Sequence, residues 1–80
     1  MKLYEFLTLP DELQYQSVWE LGVHIDTIVY NHIYHELYAI GDFYVEIRYR
    51  TRDNTISGKL AFKAGEALEK YLVKFPLDYP

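Results

Sequence analysis

The sequence predicts an α+β domain in the order helix, four-stranded antiparallel meander, helix, and three observations predict it. Residues Asp42 to Thr51 alternate Phe43, Val45, Ile47 and Tyr49 with Tyr44, Glu46, Arg48 and Arg50, the period-two pattern of a strand with one buried face. Gly41-Asp42 and Asp53-Asn54 flank this strand as candidate hairpin reversals. The segments before Gly22 and after Gly65 carry apolar residues at helical spacing.

Eighty residues make one domain, 1-80, with 50% hydrophobic and 18% aromatic residues, nine of them Tyr. That is enough apolar surface to offset the ordering entropy of a small chain. The absence of cysteine excludes disulfides, thiolate metal sites and a thiol nucleophile. A net charge of -4 argues against nonspecific attachment to polyanions. The stretch MKLYEFLTLPDELQ breaks its apolar run at Glu5, Pro10 and Asp11, so no export signal and a cytoplasmic location are expected.

Along the chain, Leu3, Phe6 and Leu7 fit one side of a short helical turn. Thr8 and Asp11 then form a capping-box pattern with Pro10 at a first helical turn. Tyr15, Val18 and Trp19 recur at i, i+3, i+4, which places the first full helix at Leu9 to Leu21, with Gly22 as a left-handed C-cap. Val23 to Tyr30 reads as the first strand, Asn31 as its reversal and His32 to Ile40 as the second strand. The segment from Thr27 to Ile40 also repeats every four residues, as a helix would. Crowding of Ile, Val and Tyr favours strands.

Closing Gly41-Asp42 as a type II′ turn places Tyr38 opposite Val45 and Glu36 opposite Ile47. Closing Asp53-Asn54 with Arg52 opposite Thr55 places Phe62, Leu60, Gly58 and Ile56 opposite Val45, Ile47, Tyr49 and Thr51. Glu66 to Lys74 carries Leu68, Tyr71 and Leu72 at helical spacing, and Pro76 ends that helix. Both helices are expected on the Val45/Ile47/Leu60 face; in the alternative arrangement they straddle the sheet.

The strings Leu3-Tyr4-Glu5-Phe6, Leu9-Pro10-Asp11-Glu12, Gly22-Val23 and Phe43-Tyr44-Val45-Glu46-Ile47, with Phe62, Leu68 and Tyr71-Leu72, resemble a family of short uncharacterised bacterial proteins. The resemblance spans nearly the whole chain and implies an αββββα order. It implies no activity, substrate or cofactor.

Candidate chemistry is sparse. His32 and His35 would share a face on a helix but point to opposite faces of a strand, and His35-Glu36 begins a zincin-like HExxH whose second histidine is Ala39. No metal or cofactor is expected. Glu36 faces inward in the predicted register, where it needs a β-bulge, hydrogen-bond donors or a raised pKa. Arg48, Arg50 and Arg52, with Lys59 and Lys63 across from them, form a cationic stripe that could hold single-stranded nucleic acid, although Glu46 interrupts it.

With both helices on one face, the other would expose Ile28, Tyr30, Ile33, Leu37 and Tyr44. The expectation is therefore a non-enzymatic binding protein that engages itself or another protein through Tyr44, Arg48, Arg50, Ile33 and Leu37. An inhibitor encoded by a phage or mobile element fits the same small, acidic form, and weak single-strand nucleic-acid binding is the remaining alternative. On this reading Tyr44→Ala combined with Leu37→Asp leaves the fold intact and abolishes association.

Overall fold

A computed structural model describes residues 1–72. The elements run α1 (Leu3–Leu7), α2 (Asp11–Leu21), β1 (Val23–Tyr30), β2 (Ile33–Ile40), β3 (Phe43–Arg50), β4 (Ile56–Phe62) and α3 (Glu66–Leu72). The strands form one antiparallel meander in the order β1-β2-β3-β4. This is the predicted α+β order. The expected helical residues beyond Leu72 and the stop at Pro76 lie outside the described residues.

The segment from Thr27 to Ile40 is two strands, and its four-residue repeat is incidental. Asn31 and His32 both have positive φ (55° and 65°), as a type I′ hairpin turn demands, so His32 belongs to the turn and not to β2. Thr8 ends α1, its hydroxyl donating to Glu5 O at 2.7 Å, and Pro10 takes the N-cap position of α2. Gln14 Nε2 donates to the Phe6 and Leu9 carbonyls, each at 3.1 Å, which fixes α1 against the start of α2.

Gly22 is not a left-handed cap. Its backbone is extended (φ -76°, ψ 144°), and glycine is required there for space. A Cβ would lie 2.5 Å from the Val18 carbonyl oxygen, the same atom to which the Gly22 N–H donates at 2.9 Å. Gly22→Ala must push α2 and β1 apart and is expected to cost about 1–3 kcal/mol, read from urea unfolding. Gly41, at φ +56°, is the positive-φ residue that the β2–β3 turn needs.

That turn sets the expected β2–β3 register, with Ile40 opposite Phe43, Tyr38 opposite Val45 and Glu36 opposite Ile47. The β3–β4 register differs from the expectation. Arg50, rather than Arg52, pairs with Thr55: Arg50 N–H donates to Thr55 O at 2.9 Å and Asn54 N–H to Arg50 O at 2.8 Å, with Asn54 at φ 60°. Asp53 accepts from the Thr55 N–H and hydroxyl at 3.1 and 2.8 Å, so residues 51–54 form the loop. Beyond a bulge at Arg48/Tyr49, Phe62 faces Tyr44, Ala61 faces Val45, Leu60 faces Glu46 and Lys59 faces Ile47. A one-residue slip exchanges faces. Leu60 and Phe62 therefore join Tyr44 and Glu46, while Ala61 and Lys59 join Val45 and Ile47.

The core is consequently divided between the two sheet faces. On one, α1 and α2 cover Ile40, Phe43, Val45 and Ile47 with Phe6 and Val18, and the Phe6 and Phe43 rings lie 5.5 Å apart. On the other, Tyr71 and Leu68 of α3 pack on Ile28, Leu37, Tyr44 and Phe62. The expected placement of both helices on the Val45/Ile47/Leu60 face is thus corrected. Leu60 and Phe62 face the other way, and the apolar set of β1 to β3 there is wide enough to need its own helix.

Candidate functional site

The α3 face is organised around Glu46, whose side chain is fully buried. Strand alternation aims it at α3, which supplies Lys70 and Tyr71 as neighbours in sequence. Tyr71 donates its hydroxyl to Oε1 at 2.7 Å and Lys70 Nζ lies 2.6 Å from the same oxygen. Arg48 Nε donates to Oε2 at 2.6 Å, and His35 Nδ1 is 3.5 Å from it. Burial alone would raise the Glu46 pKa. The hydrogen bonds from Lys70, Tyr71 and Arg48, together with the Lys70 charge, override burial and hold it at about 2.

The same burial, reinforced by the Glu46 hydrogen bond and charge, pushes the Tyr71 phenol above its ordinary value. Burial and then the Lys70 charge lower His35. Lys70 Nζ lies 3.2 Å from His35 Nδ1. That nitrogen therefore stands between the Lys70 ammonium and Glu46 Oε2. Both Glu46 oxygens are engaged from within the fold, so the cluster joins α3 to the sheet rather than presenting a reactive carboxylate.

The predicted binding residues lie on this face, but the structure does not leave them as one open surface. Leu37 is 1% exposed beneath Tyr71, and Tyr44 is half-buried, its ring 5.8 Å from that of Phe62. Arg48 is committed to Glu46. Arg50 is exposed and bonds Thr55 Oγ1 at 3.1 Å, and it shares a shallow cleft at the end of the sheet with Ile33. Of the apolar cluster read from the sequence, α3 covers Ile28, Leu37 and Tyr44, while Tyr30 stays exposed and Ile33 lies in that cleft. The cationic stripe is divided as well, because Lys59 turns to the opposite face, where it pairs with Asp11 and lies 4.6 Å from the Tyr15 ring centroid.

On the α2 face the helices cover one end of the sheet. The remainder is an open cleft of about 480 Å³ lined by His24, Tyr34, Glu36, Tyr38, Tyr49 and Asn54. Tyr34, Glu36 and Tyr38 share this face by alternation along β2, and Tyr49 is directly opposite Tyr34. Glu36 faces the Ile47 side, as the sequence predicts, and its need is met from β1. His24 Nε2 lies 2.7 Å from Glu36 Oε1, and the Thr27 hydroxyl donates to the same oxygen at 2.5 Å. The ring centroids of His24 and Tyr38 are 5.3 Å apart and those of Trp19 and Tyr38 6.0 Å, both edge-on.

His32 and His35 do not converge, and among the described residues no three His, Cys, Asp or Glu side chains are grouped to hold a metal ion. Among those residues no helix is long and apolar enough to cross a membrane. The sequence reading missed the Glu46 network. Its signal was the Lys70-Tyr71 pair, a cation beside a phenol on a helix whose apolar face needed a strand partner.

In comparisons with known proteins, no family model, curated protein or solved structure matches the chain.

Proposed function

We propose that the protein is a small non-enzymatic binding domain that associates with a second copy of itself, through the corner where α2 meets β1. One observation carries this reading. Trp19, Leu21, Val23 and Ile25, four large apolar side chains within seven residues, are each half or more exposed. The register shift between His24 and Asp26 leaves Ile25 outside the β1–β2 pairing and turned to solvent, as bulged residues are.

β1 is also an edge strand, and an apolar edge is a template for pairing. An apolar patch is complementary to its own copy, which suits a two-fold interface. Binding rather than catalysis is supported by the strongly perturbed carboxylate, Glu46, being consumed by its internal partners. Arg48 being tied through Nε to Glu46, and Lys59 lying on the opposite face, disfavour the nucleic-acid reading.

The test is mass in solution by light scattering across the micromolar range. The wild-type chain is expected to sediment and scatter as two chains, and Val23→Lys with Ile25→Lys as one, with an unchanged circular dichroism spectrum because both side chains are exposed. A wild-type chain that stays single throughout that range defeats the reading.

A further inference from the structure

The cleft beside α2 is built of groups that self-association at the α2–β1 corner does not use. Three tyrosines and one carboxylate line it together with His24 and Asn54, and among the described residues no lysine or arginine does. We propose that this cleft binds a small organic cation, an alkylammonium or guanidinium head group, between the ring faces of Tyr34, Tyr38 and Tyr49 with Glu36 as its counter-charge.

The chemistry follows from the position of each group. An aromatic ring presents negative density on its face and attracts a cation there, and the attraction grows when water is partly excluded. The Glu36 side chain is 22% exposed, so it is reachable yet already partly dehydrated. The hydrogen bonds from His24 and Thr27 both fall on Oε1, which fixes the carboxylate in place before a ligand arrives and leaves Oε2 outside them. Burial and the nearby Glu36 charge raise the Tyr38 phenol, and burial with the charges of Tyr38 and Glu36 raises that of Tyr49, so both rings stay neutral.

Other ligand classes fit less well. An anion would meet Glu36 with, among the described lining residues, the His24 imidazole as its one basic group, already engaged by Glu36 Oε1, and a neutral apolar ligand would bury the carboxylate without a further counter-charge. A metal ion needs several lone-pair donors held together, and among the described residues no three His, Cys, Asp or Glu side chains are grouped to hold one. A volume of about 480 Å³ is ample for a head group with its first carbons.

The test is an NMR titration of the intact chain, following backbone amide resonances. Choline is expected to give saturable shifts at Tyr34, Glu36, Tyr38 and Tyr49. Its neutral isostere, in which a quaternary carbon replaces the nitrogen, should bind at least about tenfold more weakly. Glu36→Gln should weaken choline by about tenfold while resonances outside the cleft stay in place. N-acetyl-argininamide and a peptide containing the same arginine separate the two sources of the cation. Equal affinity assigns a free head group, and a tighter peptide assigns a side chain carried by a protein. Absence of saturation by both choline and N-acetyl-argininamide overturns the proposal. So does an isostere that binds as tightly as choline, a comparison made on the wild-type chain and independent of whether Glu36→Gln folds.

Discussion

Replacing Glu46 by Gln is expected to destabilise the protein by about 3 kcal/mol, which for a domain of this size lowers the melting temperature by roughly 15–20 °C. The carboxylate accepts from Arg48 and Tyr71 and pairs with Lys70, and it has no contact with solvent. Removing its charge leaves two cations facing each other across the sheet–α3 contact. Loss of one partner of a buried ionic group costs more than the group contributes intact, because what remains is desolvated without compensation. A change below about 1 kcal/mol in urea unfolding would mean that Lys70 and Arg48 find other partners without loss, and that the cluster does not fasten α3.

The same carboxylate dictates an acid response. In the folded protein it titrates near 2, whereas the unfolded chain titrates near the ordinary 4.5. The contribution is therefore complete above about pH 4.5 and is lost as the pH falls towards 2, a total of about 3 kcal/mol. Wild type should lose stability steeply over that interval and Glu46→Gln should not, so the two stability curves are expected to converge in acid.

Leu37→Asp is the second large effect, and it reverses the sequence expectation that this change spares the fold. Leu37 lies under Tyr71 and Ile28 at 1% exposure, with Glu46 directly opposite on β3. Truncation to Ala alone should cost about 2–4 kcal/mol. Aspartate adds a buried carboxylate beside an existing one, whose donors are already taken, so the total is expected to exceed about 4 kcal/mol and leave the chain unfolded. Circular dichroism with the Ala variant as the graded control decides it. A folded Leu37→Asp chain would mean that α3 does not seal this face.

The legible parts of the fold were those written in local chemistry. Gly41 announced its turn, the alternation of β3 announced its faces, and together they set the β2–β3 register and the inward aim of Glu36. The β3–β4 hairpin was misplaced because Asp53-Asn54 resembles a two-residue turn. Its closure instead depends on Asp53 binding Thr55, which no period reveals. That single slip moved Leu60 and Phe62 to the wrong face and hid the reason for α3 to lie opposite α2.

For the site, the sequence correctly grouped Ile28, Leu37 and Tyr44 as apolar residues needing cover, and held cover by the chain's own helix only as the alternative, straddling arrangement. Tyr34, Tyr38 and Tyr49 were visible as residues. Alternation and the β2–β3 register already set Tyr34 and Tyr38 on either side of Glu36 with Tyr49 opposite Tyr34; that the helices leave this part of the face open leaves no mark in periodicity.

The two interruptions of the ladder both concern outer strands: Ile25 is the surplus residue of β1, and β4 takes up its shift near Ser57. The inner pair, β2 and β3, runs without a break. Chain length can therefore drift by one at either margin while every inner side chain keeps its side, so related sequences should differ by insertions or deletions around residues 25 and 57 and keep constant spacing from Ile33 to Tyr49.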